Sequence, residues 1–292
     1  MPMEIQSLSI CVPTPRCVNN CKFCVSKMGD NAYPNQIEKN KRFSDLYRRD
    51  FIRRLQFARD NGCNTVILTG DGEPLSNVDF LDKFSEWNEK LTSPFQWVEV
   101  QTSGVLLDEE MLRHLRNMVG VSTIALSLSN IFNSESNHEM NQTPEKLRFD
   151  IDHLCSEIKR YDFNLRLSLN MTDVYSSLTL WEIFSRAKIL GADQITFRVL
   201  YESGTGTEED KWIKKHRCNP YKIEQISRFI KKNGRELEVL PFGATRYSVD
   251  GMSVVLDGDC MSGAVKPTIR YLVLRPDCKL YTKWDDKGSK VF

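Results

Sequence analysis

Three cysteines fall within one short run, Cys17-Val18-Asn19-Asn20-Cys21-Lys22-Phe23-Cys24. Thiolates are soft ligands that favour zinc or iron–sulfur clusters. A structural zinc site closes with a fourth ligand, usually from a second knuckle. No further C-x-x-C pair follows in the chain. Three thiolates without a fourth suit a 4Fe–4S cluster with one iron open to an exogenous ligand. The alternative is a non-catalytic interaction module holding zinc on the same three residues.

The elements that must position this loop are periodic. Residues 5–12 form a first strand, and the loop follows it directly. Five further strands are expected at 64–68, 97–102, 122–128, 164–170 and 194–200. Helices are expected between them at 43–61, 79–91, 108–118, 144–161 and 177–190. Strand-then-helix steps about 30 residues apart are the signature of a parallel sheet, and such sheets carry their chemistry at the C-terminal ends of the strands. After residue 205 the pattern changes to a basic run at 211–217, a helix at 221–232, and β-rich segments to the end.

Composition narrows the function classes. The 292 residues hold 40 basic and 39 acidic side chains, a net charge of +1. Such balance argues against holding nucleic acid by bulk positive charge. Nine cysteines, an odd number, argue against a disulfide framework and for metal or redox chemistry. Residues 1–6 carry neither a basic nor an apolar export segment, and no apolar run is long enough to span a membrane. A cytoplasmic chain is expected.

The C-x₃-C-x₂-C spacing, with Phe23 before the third cysteine, resembles the signature of the radical S-adenosylmethionine (SAM) superfamily. Thr69-Gly70-Asp71-Gly72-Glu73-Pro74-Leu75 is similar to that family's GGEP segment. Gln101-Thr102-Ser103-Gly104 with Val105-Leu106-Leu107 resembles its TNG-x-L-L strand end. Ala125-Leu126-Ser127-Leu128-Ser129 resembles its VSLD, and Leu165-Arg166-Leu167-Ser168-Leu169-Asn170 its fifth-strand run. Order and spacing resemble the branch of molybdopterin-synthesis and peptide-modifying (SPASM/twitch) enzymes, over residues 5–205. Two positions depart from the pattern: Asp71 stands at the first glycine of GGEP, and Ser129 at the usual aspartate.

The resemblance implies an α/β fold, a partial (β/α)6 TIM-type barrel over residues 1–205. A smaller α+β extension, 206–292, would close the barrel mouth. It implies one 4Fe–4S cluster on Cys17, Cys21 and Cys24, with SAM chelating the open iron. Gly72 and Glu73 would receive the SAM amino group, and Ser127 and Asn170 its carboxylate or ribose. Phe23 would pack near the adenine, and Thr102 is a further candidate. The implied reaction is reductive cleavage of SAM to a 5′-deoxyadenosyl radical that takes a hydrogen from a substrate. The implied electron donor is a flavodoxin or ferredoxin.

Other residues read more plainly. Cys11, Cys63 and Cys155 lie in or beside apolar runs and are expected to be buried small hydrophobes. Residues 269–281 resemble the hairpin that carries a second cluster in many relatives. Here Cys278 occupies the place of the turn glycine, and Thr282-Lys283 that of the closing cysteine. Cys218, Cys260 and Cys278 lack ligand spacing, so no auxiliary cluster is expected. His114, His138, His153 and His216 are scattered and expected to be surface or satisfied residues. Residues 211–217 are a solvated helix face or a phosphate-contacting patch. Arg198 is expected either to meet an anion inside the barrel or to form a salt bridge. Ser168, where the GTP-cyclising relatives carry lysine, speaks against that reaction. The substrate expected is a small polar metabolite or nucleotide, with a peptide or a tRNA base as the remaining alternatives and nucleic acid disfavoured.

Overall fold

The computed structural model describes residues 4–14, 17–28, 43–240, 244–257, 268–284 and 287–291. Six strands run parallel, each paired with the next in chain order: β1 (Glu4–Cys11), β2 (Thr65–Thr69), β3 (Trp97–Thr102), β4 (Thr123–Leu128), β5 (Asn164–Asn170) and β6 (Gln194–Arg198). Helices α1 (Phe43–Leu46) and α2 (Arg48–Asp60) follow β1, and α3 (Val78–Glu89) follows β2. Next come α4 (Glu109–His114) after β3, α5 (Ser134–Asn141) and α6 (Ile151–Arg160) after β4, and α7 (Leu180–Ile189) after β5. Beyond β6 lie α8 (Glu208–His216) and α9 (Pro220–Asn233). No helix among the described residues is long and apolar enough to cross a membrane.

Side-chain alternation sets which face of each strand meets the helices. Leu8 and Ile10, Val66 and Leu68, Val98 and Val100 join Phe51, Leu55 and Phe80 in one buried core. Phe51 stacks on Trp87 at 4.8 Å, and Phe80 meets the same indole edge-on at 5.5 Å. Burying each such ring contributes roughly 1.5–3 kcal/mol, which fastens α2 and α3 to the sheet. The other face of the strands is left to polar side chains such as Gln101, Ser127, Ser168, Asn170 and Arg198.

The residues after 205 add strands to both flanks of this sheet. β7 (Arg235–Val239), β8 (Thr245–Val249) and β9 (Met252–Asp257) form an antiparallel set whose β9 pairs with β6, in parallel. β10 (Thr268–Leu274) pairs with β1, also in parallel, and turns back antiparallel as β11 (Leu280–Tyr281). The order β10-β1-β2-β3-β4-β5-β6-β9 is therefore eight parallel neighbours, two beyond the six read from the βα period. No pairing closes this sheet among the described residues. It nevertheless curls: Arg270 on β10 reaches both oxygens of Asp257 on β9 at 3.1 Å, although β10 and β9 stand at opposite ends of the order. The α/β partial barrel is thus an open sheet whose two parallel flanks are latched by an ion pair.

Two helices differ from the sequence expectation. The helix expected over 144–161 begins only at Ile151, because Asp150 caps it by accepting from the His153 N–H at 2.8 Å. Arg148, just before, is extended. The helix α5 was not expected at all. Its buried residues are Asn137, His138 and Asn141, so it has no apolar stripe to read. The expected hairpin at 269–281 is present, and Cys278 has a φ of +59°, a left-handed conformation that favours glycine.

The side chains of Arg270 and Asp257 are 11% and 10% exposed. Arg270→Met removes the latch between the two flanks and leaves Asp257 only Arg198 as a neighbouring cation, a loss of about 3 kcal/mol at most in chemical denaturation. Adding Asp257→Asn should recover most of it. A loss below about 1 kcal/mol would show that water already solvates the pair as it does a surface one.

Candidate active site

The cysteine loop leaves β1 and is tied down on three sides. Val12 N–H donates to Thr69 O at 2.7 Å, holding the loop's start to the end of β2. Asn77 Nδ2 donates to Pro13 O at 2.6 Å. On the far side Asn20 N–H donates to Asn141 O at 3.2 Å, and its Nδ2 to Gln142 Oε1 at 2.8 Å. Lys27 Nζ closes the loop on itself through Cys21 O at 2.8 Å. Cys17, Cys21 and Cys24 are partly exposed. Burial, with Cys24 and Cys17 beside it, pushes the Cys21 thiol up to about 12. Burial also raises Cys17, against the N–H groups of Asn19 and Glu73 that point at its sulfur. Cys17 and Cys24 thus lie near enough to Cys21 to act on its thiol. No three His, Cys, Asp or Glu side chains among the described residues converge where a single metal ion could be held.

Gly72 packs directly beneath this loop. A Cβ there would lie 2.3 Å from Thr14 Oγ1 and 3.4 Å from the Cys17 nitrogen. Thr14 Oγ1 and both polar atoms of the Asn19 amide are buried without a hydrogen-bond partner. Buried polar groups are ordinarily satisfied, so these orphans beside the thiols suit a polar group held at the loop.

Glu73, next in sequence, is 3% exposed. Its Oε1 accepts from Thr102 Oγ1 at 2.6 Å, and its Oε2 from the Ser103 N–H at 2.9 Å and Ser103 Oγ at 2.6 Å. The Leu75 N–H adds a long contact at 3.4 Å. Burial raises the carboxyl's pKa, and the bonds from Ser103 and Thr102 oppose that rise. The side chain thus joins the end of β2 to the end of β3, while its backbone N–H faces Cys17. Ser103 was not singled out in the sequence, although it adjoins Thr102 in the same strand-end motif. Asp71, the departure from GGEP, lies 3.7 Å from Arg275 in the β10–β11 turn and also bonds Ser26.

Ser127 and Asn170 come together on β4 and β5. Asn170 Nδ2 reaches Ser127 Oγ at 3.2 Å and Ser129 Oγ at 3.4 Å. Ser129, the other departure, is fully buried. It is held by α5: its N–H donates to Asn137 Oδ1 at 2.8 Å and its hydroxyl to Asn141 Oδ1 at 2.9 Å. Because Asn141 also anchors Asn20, this polar helix links the β4–β5 end to the cysteine loop.

Phe23 packs 5.7 Å from Trp212 on α8, in a cluster with Met28, Leu200 and Ile213. A cavity of about 560 Å³ opens beside them, bordered by Lys22, Lys27, Lys211, Lys215, Trp212 and His216. Lys211 pairs with Glu208 at 2.6 Å and His216 with Asp173 at 3.2 Å, so much of the basic run is already partnered. Cys11, Cys63 and Cys155 are buried in apolar surroundings. Cys218, beside Ser176 Oγ at 3.7 Å, and Cys278 are buried on separate elements, and Cys260 lies outside the described residues.

Residues 11–148 match the model of the Radical SAM superfamily. No curated protein sequence matches the chain. In fold the chain is similar to native anSMEcpe with bound AdoMet, at 13% identity and a TM-score of 0.61, over 98% of this chain and 77% of that one. It is similar to coproporphyrinogen III oxidase (HemN) from Escherichia coli, a radical SAM enzyme, at 14% identity and a TM-score of 0.53, over 80% and 54%. It is also similar to methylornithine synthase (PylB), at 15% identity and a TM-score of 0.52, over 89% and 75%. The family model is thus matched from the end of β1 through the cysteine loop to β4 and beyond, and over most of its length the chain has a fold similar to that of these radical SAM enzymes.

Proposed function

We propose that the chain holds a 4Fe–4S cluster on Cys17, Cys21 and Cys24, binds SAM at the neighbouring strand ends, and cleaves it reductively to act on a substrate hydrogen. The observation that carries this reading is the contact of two motifs far apart in sequence. Gly72 and the Glu73 N–H press against the Cys17 loop, and orphaned polar groups stand beside them. Three thiolates without a fourth protein ligand suit a 4Fe–4S cluster with one iron open to an exogenous ligand. Bound together, cluster and SAM would supply a one-electron cleavage of the sulfonium and a 5′-deoxyadenosyl radical.

The protein's share is position and exclusion of water. Gly72 allows backbone to approach the loop, and Glu73 fixes the β2 and β3 ends beside it, where these two residues would receive a SAM ammonium. Ser127 and Asn170 offer neutral hydroxyl and amide groups for a carboxylate or ribose. Phe23, held by Trp212, offers an apolar face for adenine, and Thr102 acts through Glu73. We further propose residues 1–205 as the catalytic core and 206–292 as the part closing its mouth. The substrate proposed is a small polar metabolite or nucleotide. A flavodoxin or ferredoxin would be the electron donor, in a reducing cytoplasm that protects an exposed cluster.

Anaerobic reconstitution should give about four irons and a broad visible absorbance, both lost in the Cys17/Cys21/Cys24→Ala variant. Reduced with SAM, the loaded protein should release 5′-deoxyadenosine. Stoichiometric zinc with refusal of iron would overturn the proposal. Gly72→Ala drives a Cβ into Thr14 and should lower stability by about 1–3 kcal/mol and reduce iron uptake. Pairing it with Thr14→Ala should restore most of both. Unchanged iron uptake in Gly72→Ala would remove this contact from the site.

A further inference from the structure

The arginines around the inner face of the sheet are unequally provided for. Arg166 on β5 reaches past β4 to pair with Glu99 on β3. Arg246 on β8 pairs with Glu238 at 2.6 Å. Arg270 holds Asp257. Arg198, the last residue of β6, has no ion pair among the described residues, and its Nε is buried without a partner.

Register explains why. Ile195 and Phe197 face the helices, so Arg198 alternates onto the inner face. Its neighbour across the β6–β9 ladder is Asp257, the natural carboxylate for it, and Arg270 has taken that group. The other inner carboxylate, Glu99, is held by Arg166 and by Gln101 Nε2 at 3.2 Å. On its other side Arg198 is in register with Asn170. Two residues before Asn170, on the same face of β5, Ser168 Oγ is buried and also unpartnered. A partly shielded guanidinium without a carboxylate is costly. A carboxylate or phosphate would complete it with paired, charge-assisted bonds, and a hydroxyl could donate a third.

We propose that Arg198, with Ser168 beside it, binds an anionic group of the substrate, a carboxylate or a phosphate. Calling the ligand the substrate rests on the radical SAM reading of this mouth. Arg198 stands one strand beyond Asn170, on the side away from β2, so it borders the SAM position proposed above, and the SAM-affinity readout separates substrate from cofactor. Four strand spacings of about 4.8 Å each separate β6 from β2, whose end carries Glu73 and meets the cysteine loop.

The test titrates inorganic phosphate into the full chain by calorimetry, both cluster-loaded with SAM and as apoprotein. Wild type should bind. Arg198→Gln should weaken binding at least about tenfold, as loss of a charged hydrogen bond implies, and Arg198→Lys should recover part of it. Circular dichroism, iron content and SAM affinity should be unchanged in Arg198→Gln. A Lys22→Gln/Lys215→Gln variant at the outer cavity should bind phosphate like wild type. The proposal falls if wild type does not bind. It falls too if Arg198→Gln binds equally well, if the lysine variant alone loses binding, or if Arg198→Gln loses SAM affinity instead. Failure to take up iron, with Arg198-dependent phosphate binding intact in the apoprotein, would overturn the cluster reading and leave the anion subsite standing.

Discussion

A carboxylate shut away from water must be met by donors, and Glu73 meets four at the ends of β2 and β3. Much of the mouth of this barrel depends on that requirement. With the carboxylate anchored, the backbone around it is set, so Gly72 lies under the cysteine loop and the Glu73 N–H faces Cys17. The loop is then gripped from the far side by Asn141 and Gln142. Three strand ends and a polar helix thus hold one short stretch of chain without any regular element of its own beyond a single turn at Val25–Lys27.

The same sheet is organised by a contrast between its faces. Apolar side chains on the helix side supply the burial that stabilises the fold. Polar and charged groups on the inner side pair with one another wherever a partner exists. Glu99 with Arg166, and Asp257 with Arg270, use up the inner carboxylates described above. The second pair also draws together two strands from opposite flanks, so an inner-face ion pair helps set the curvature of the sheet.

Much of the core was legible in the sequence because its signals are local. Alternation at Val66 and Leu68, the helical spacing of Phe51, Leu55 and Ala58, and the Gly70–Pro74 turn each declare themselves within a few residues. What escaped was non-local or polar. α5 hides because Asn137, His138 and Asn141 are its buried face, and they meet partners such as Ser129 and Phe149 that lie outside the helix. The role of Ser103 depends on Glu73, thirty positions earlier. The β-rich tail was visible as strands, yet nothing in it announced that β9 and β10 would flank β6 and β1.

By itself, then, the sequence determined the close spacing of Cys17, Cys21 and Cys24, the strand-then-helix order, and the motifs that resemble those of the radical SAM superfamily. Spacing along a chain is enough to encode these. Only the tertiary structure decided that, among the described residues, the parallel set has eight members, Glu73 turns its carboxylate to Thr102 and Ser103, and Arg198 has no counter-ion. Those outcomes depend on which groups compete for the same partner in space, and pairing across a sheet is set by register and curvature that no single segment specifies.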